Sequence, residues 1–204
     1  MGMNVANDPE AARQVEIVEA ATGIFLRYGF KKTAMEDIAR AVGISRQALY
    51  LYFPTKEAVF KAVISRSLAA MRTEARAALA HQDHDIEERV LGAFEALHSK
   101  AVGVEHLGEL IATTATLTGP VFREMEQAVV RDMAQALDTA GVAARWTRAG
   151  VSPMELAQHL AATSEGIKFS AKTLEEYLDR MRIAVRIVCW GALPEANARS
   201  GRAP

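Results

Sequence analysis

A single cysteine, Cys189, stands among 204 residues, so an intrachain disulfide is excluded. It sits in an apolar run, where a packed thiol is the expected role. No apolar run reaches the roughly 20 residues that a membrane-crossing helix needs. The N-terminus also lacks the apolar core of a secretory signal. These absences point to a reducing cytoplasm and to no membrane partner. Aromatic residues make up 6% of the chain and strand-like alternation is scarce, which leaves little to build a sheet. Neither sign of charge dominates, because 24 basic residues meet 25 acidic ones. Catalytic signatures are missing as well: no HExxH, GxSxG, P-loop or paired Glu-x-x-His motif occurs. We therefore expect no enzyme and no cofactor. His81 and His84, with Asp83 and Asp85, carry metal-binding side chains at short spacing. They fall at a polar break with no cysteine or further histidine close by, so a solvated loop is expected rather than a metal site.

What the chain does have is hydrophobic residues, half of the total, at helical spacing. The expectation is an all-α fold. Glu10 to Tyr28 reads as an amphipathic helix with Ile17, Ala20, Ala21, Ile24, Phe25 and Tyr28 on one stripe, ended by Gly29. A long helix follows Thr55 to about Ala80, its first turns packing on the preceding segment and its later turns acting as a connecting rod. Further helices are expected over 86–100, 105–116 and 120–139, with 141–151 a loop containing Trp146. Two well-started helices, 152–170 and 174–190, close the fold; Ser152-Pro-Met-Glu155 and Thr173-Leu-Glu-Glu176 both read as capping boxes. Residues 1–9 and 194–204 read as flexible.

The most informative stretch is Thr33 to Glu57. Thr33 with Glu36 reads as a capping box, followed by Ile38, Ala39 and Val42 on one face. Gly43 suits the left-handed turn that ends a helix, and Ser45 suits the cap of the next. Pro54 stops that second helix and Thr55 caps a third. This is the anatomy of a helix-turn-helix DNA reader. Arg46 and Gln47 fall in the first turn of the second helix, the part that enters a major groove. Arginine suits guanine and glutamine suits adenine there. Between Arg27 and Arg66 eight basic residues meet three acidic ones, so this segment is +5 and the remainder −6. A basic head on an acidic body is the footprint of a DNA-binding module.

Ile17, Ala20-Ala21, Phe25, Gly29-Phe30, Thr33, Ile38-Ala39, Val42-Gly43-Ile44-Ser45, Leu49-Tyr50, Tyr52-Phe53 and Lys56-Glu57 together resemble the N-terminal domain of the TetR family of transcriptional regulators. The resemblance covers about residues 10–65. It implies a helix-turn-helix domain over 10–65 and a helical effector-binding and dimerisation domain over 66–193. It implies a homodimer on double-stranded DNA, paired through helices 152–170 and 174–190 in a four-helix bundle. It implies a repressor released by a small-molecule effector; an activator or co-regulator would use the same head. By position, Thr33, Tyr52 and Lys56 fall where the family contacts phosphates. Arg46, Gln47 and Tyr50 fall where it contacts bases or adjacent backbone. Gln47 replaces a residue that is usually small there, and Leu51 one that is often polar, so no known operator sequence carries over. A dimer would present two recognition helices one helical turn apart, to a near-palindromic site.

An effector pocket is expected among the helices between Ile86 and Phe169. The candidates are Phe94, His98, Thr113, Phe122, Met125, Trp146 and Phe169, with a large hydrophobic effector suggested by methionine beside aromatics.

Overall fold

The computed structural model describes residues 9–191, and all regular structure among them is helical. The expectation of flexible ends over 1–9 and 194–204 lies outside the described residues, except that Pro9 already opens the first helix. In chain order the helices are α1 (Pro9–Lys32), α2 (Met35–Val42), α3 (Arg46–Tyr52), α4 (Lys56–Ala80) and α5 (Ile86–His98). They continue with α6 (Leu107–Thr139), α7 (Val142–Trp146), α8 (Pro153–Ser170) and α9 (Leu174–Trp190).

Two hydrophobic cores organise them. The first gathers Ile17, Ala21 and Phe25 of α1, Ile38 and Ala39 of α2, Leu49 of α3 and Val59, Phe60 and Val63 of α4. Phe25, Phe30 and Phe60 form an aromatic trio with ring centroids 5.0–5.8 Å apart. Tyr28, expected on the buried stripe, is 48% exposed, and Val18 is buried instead. Tyr28 lies immediately before the break at Gly29, whose φ of 77° and ψ of 170° turn the chain out of helical register.

The second core is built from α4 to α9, with Phe94, Leu137, Leu160, Tyr177 and Met181 at its centre. α4 serves both, because its later residues Ala75 and Leu79 lie in this second core. α6 reaches back in the same way: Leu110, near its start, is buried in the first core.

One expectation about breaks holds and one is corrected. Residues 107–139 comprise two helical stretches that meet at a kink at Thr118 (φ −138°), just before Pro120, where the second stretch was expected to begin. Proline lacks the N–H for the i−4 bond and clashes with the turn before it, which accounts for a kink at this place. Residues 142–149 form α7 and a short 3-10 turn rather than a loop. Trp146 closes this segment onto α9 by donating its indole N–H to the carbonyl of Val188, 2.8 Å away. Of the two closing helices, α8 starts with the expected capping box and α9 with half of one. Ser152 Oγ accepts from the Glu155 N–H and Glu155 Oε2 accepts from the Ser152 N–H. That second bond holds the Glu155 carboxyl below its ordinary range. Thr173 caps Glu176, whose carboxylate takes the Lys172 N–H rather than that of Thr173.

Candidate functional site

The reading of residues 33–57 rests on four local stops, and three of them form as written. Gly43 is left-handed (φ 73°, ψ 31°), and the N–H groups of Gly43 and Ile44 return to the Arg40 and Ala39 carbonyls. Ser45 Oγ accepts from the Ala48 N–H at 3.1 Å and so starts α3. Phe53 is extended before Pro54, and Thr55 Oγ1 accepts from the Ala58 N–H at 3.1 Å to start α4.

Thr33 departs from the expected capping box. It is 3% exposed, and its hydroxyl donates to the Gly29 carbonyl at 2.7 Å. The kink at Gly29 frees that carbonyl, and the buried hydroxyl four residues on is its donor. Ala34 takes the cap position of α2 instead, with its N–H accepted by Asp37 Oδ2 at 3.0 Å.

α3 presents its first turn outward. Arg46, Gln47 and Tyr50 are exposed, while Leu49 beneath them is fully buried. The Arg46 guanidinium lies 5.5 Å from the Tyr50 ring centroid and donates to the Tyr50 hydroxyl at 3.2 Å. That hydrogen bond raises the Arg46 pKa above its ordinary value. Arg46 and Tyr50 thus pair on the exposed face of α3, with exposed Gln47 next in sequence to Arg46. Tyr52 is half-buried against the first core.

Lys56 has a more structural setting than its sequence position suggests. Its ammonium donates to the carbonyls of Phe30 and Thr33, both at 2.9 Å, and lies 4.3 Å from the Phe30 ring centroid. It thereby ties the start of α4 to the connection between α1 and α2. The same connection is gripped from the other side by Glu109 of α6, whose Oε1 accepts the Lys31 backbone N–H at 2.8 Å.

Behind this head lies a cavity of about 800 Å³. Its wall draws Phe25 and Phe60 from the first core and Phe94 and Met133 from the second. The cavity thus sits between the two cores, and not among helices α5 to α8 alone as expected. Phe94, His98, Phe122 and Met125 line it. Thr113, Trp146 and Phe169 do not. Thr113 bonds the Glu109 carbonyl of its own helix, Trp146 is held on α9, and Phe169 is 60% exposed on the outer face of α8. Sequence reasoning passed over the contribution of α1 and α4, since those residues carry the head's own helical stripe and give no separate signal. Lys168 was missed as well: a lysine at 6% exposure is invisible to composition.

One polar stretch of the wall, His98 and Ser164, belongs to a hydrogen-bonded chain that continues to Tyr177 behind it. Ser164 Oγ lies 3.0 Å from His98 Nε2 and 2.8 Å from the Tyr177 hydroxyl. Burial, with the Lys168 charge adding to it, holds His98 down to about 3, and burial raises Tyr177. The Ser164–His98 distance suits a nucleophile and base, but a base so weak takes no serine proton at neutral pH. The chain is a neutral polar wall. Cys189, buried and pushed up to about 11 by burial, is no nucleophile either. His81 and His84 stack at 4.0 Å, and Asp85 is occupied in capping α5.

Residues 17–63 match the family profile described as bacterial regulatory proteins, tetR family. Among curated relatives, the chain is 40% identical over 68 residues to the uncharacterized HTH-type transcriptional regulator YfiR of Bacillus subtilis, covering 33% of each protein. It is 40% identical over 58 residues to the HTH-type transcriptional regulator RutR of Escherichia coli, covering 28% of this chain and 27% of that one. These matches span a third or less of the relatives' own length. Among solved structures, the reduced form of NemR from E. coli superposes with a TM-score of 0.68 at 19% identity, over 89% of this chain and 100% of that one. At that identity the likeness is one of fold.

Proposed function

We propose that this chain, whose residues 17–63 match the tetR family profile, is a ligand-responsive transcriptional repressor of that family. In this reading residues 10–65 are the reading head and 66–193 the effector and dimerisation unit. The observation that carries it is the outward first turn of α3, with Arg46, Gln47 and Tyr50 exposed over a buried Leu49. These three side chains contact bases in the major groove. Tyr52 and Lys56 contact phosphates, Lys56 through the one ammonium N–H that its two carbonyl bonds leave over. Thr33, with its hydroxyl turned inward, supports the phosphate-facing loop from behind.

A homodimer forms through α8 and α9. Phe169, Ile183 and Ile187 are 60%, 62% and 59% exposed, beside the exposed small residues Ala162 and Gly166. An apolar face of this kind supports helix-on-helix pairing with a second copy. The two α3 helices then meet successive major grooves about 34–36 Å apart, on a near-palindromic operator. A small molecule entering the cavity touches α4 and α6, which belong to both cores, and so moves the heads relative to the dimer interface.

Selection of random duplex DNA by the purified chain at physiological salt tests this function. Enrichment of a near-palindrome with half-sites about ten base pairs apart supports it. Binding that falls steeply with salt and enriches no sequence would reduce the head to a non-specific polyanion binder.

A further inference from the structure

The cavity wall is mostly apolar, with rings and thioethers such as Phe94, Phe122, Met71 and Met125 among its aliphatic side chains. In one place three ionisable side chains converge: Glu126 of α6, and Glu165 and Lys168 of α8. Lys168 is 6% exposed, and both carboxylate oxygens of Glu165 accept from its ammonium, at 2.6 and 2.7 Å. That pair neutralises itself. Glu126 is half-buried and has no hydrogen bond or ion pair among the described residues. The trio therefore carries one uncompensated negative charge facing an apolar space. Burial and the neighbouring Glu165 both raise the Glu126 pKa, and Lys168 offsets them in part. The carboxylate thus sits where added positive charge is favoured. His98 is neutral at pH 7. The other lining cations, Lys100 and Arg131, have solvent-exposed side chains.

We propose that the effector is an amphipathic organic cation, its apolar body against Phe94, Phe122 and Met125 and its positive centre beside Glu126. The inference rests on the reading of this cavity as the effector site. An anion of similar size would have to displace Glu165 from Lys168 and would leave two carboxylates facing it. A bare inorganic cation would lose its water to a wall of hydrocarbon, a cost that one carboxylate does not offset. An organic cation loses less, and the ring faces of Phe94 and Phe122 add cation–π attraction. The volume of about 800 Å³ lies within the range of sites for drug-sized ligands.

Two ions of nearly the same shape and opposite charge, tetraphenylphosphonium and tetraphenylborate, separate charge from bulk. Calorimetric titration of the full chain is expected to show one phosphonium per chain, with affinity reduced about tenfold or more in Glu126→Gln. Tetraphenylborate affinity should be unchanged or increased by the same substitution. The variant swaps one oxygen for an amide at a half-exposed position, and circular dichroism verifies its fold. Equal phosphonium affinity in wild type and Glu126→Gln overturns the proposal. So does binding of borate alone, or of neither ion. Release of selected operator DNA is measured separately. Phosphonium binding that leaves DNA bound would sink the effector reading but not the charge preference, and release driven by borate would do the reverse.

Discussion

Lys56 makes an unusual demand on its position. Its ammonium is bonded to two main-chain carbonyls at 2.9 Å and lies 4.3 Å from a ring centroid, all at the join between α1 and α2. Replacing it with methionine keeps the aliphatic stem over Phe30 and deletes the charge. Two charge-assisted hydrogen bonds are worth about 1.5 kcal/mol each at the lower end of their range, which suits a half-buried site. Loss of the cation–π contact adds about 0.5 kcal/mol, roughly what a thioether over the same ring returns. The expected cost of Lys56→Met is therefore about 3 kcal/mol. It should appear in urea unfolding monitored by far-ultraviolet circular dichroism. Lys61→Met, five residues further along α4 and exposed, should lie within about 0.5 kcal/mol of wild type. If Lys56→Met costs under about 1 kcal/mol, the ammonium is exchanging these carbonyls for water and the anchor is not structural. DNA affinity supplies a second reading. Under the phosphate role proposed for Lys56, Lys56→Met should weaken binding equally across a panel of mismatched sites.

Gly29→Ala should destabilise by about 2 kcal/mol, because φ 77° and ψ 170° suit only glycine and the new Cβ would lie 3.1 Å from the Glu109 carboxylate. Gly43→Ala, left-handed but with open space around it, should cost nearer 1 kcal/mol, and thermal melts showing the opposite order would refute the comparison. Gln47→Ala should leave stability unchanged and relax preference at one position per half-site by about 1–3 kcal/mol; a uniform loss across all sites would remove glutamine from base reading. His98 is about 3 in the fold against 6.5 unfolded, so the unfolded chain binds more protons and stability is lost as pH falls from about 6.5 towards 3. The slope contributed is at most about 1.4 kcal/mol per pH unit, and equal denaturation slopes for His98→Gln and wild type between pH 7 and 5 would contradict it. Ile187→Glu should yield a folded monomer in analytical sedimentation with reduced operator affinity, whereas an intact dimer would place the interface elsewhere.

The head was legible because its instructions are local. Gly43, Ser45, Pro54 and Thr55 each act within four residues, and each does so in the structure. Thr33 was misread because two claims on one hydroxyl compete. The capping pattern needs it for α2, but the kink at Gly29 leaves a carbonyl close by, and only tertiary structure reveals that claim. The cavity was harder to read for a different reason. Trp146 and Phe169 were chosen as apolar side chains and Thr113 by its place on an apolar face, and neither criterion says which buried face borders a void. Trp146 packs on α9 and Phe169 points to solvent, whereas Phe25 and Phe60, which the stripe pattern assigns to the head, also wall the cavity. A void between two cores belongs to no single helix, so no periodicity announces it.

The kink in α6 also bears on how such a chain changes over generations. Everything that α6 gives the head comes from before Thr118: the Glu109 grip, the buried Leu110 and the packed Leu117. Phe122, Met125, Glu126 and Met133 lie beyond it and face the cavity. A substitution among these later residues acts on a separate helical axis from the one that holds the head. A change at Phe122, Met125 or Glu126 therefore reshapes part of the cavity without touching the Glu109 grip, whereas Leu110 serves both head and cavity.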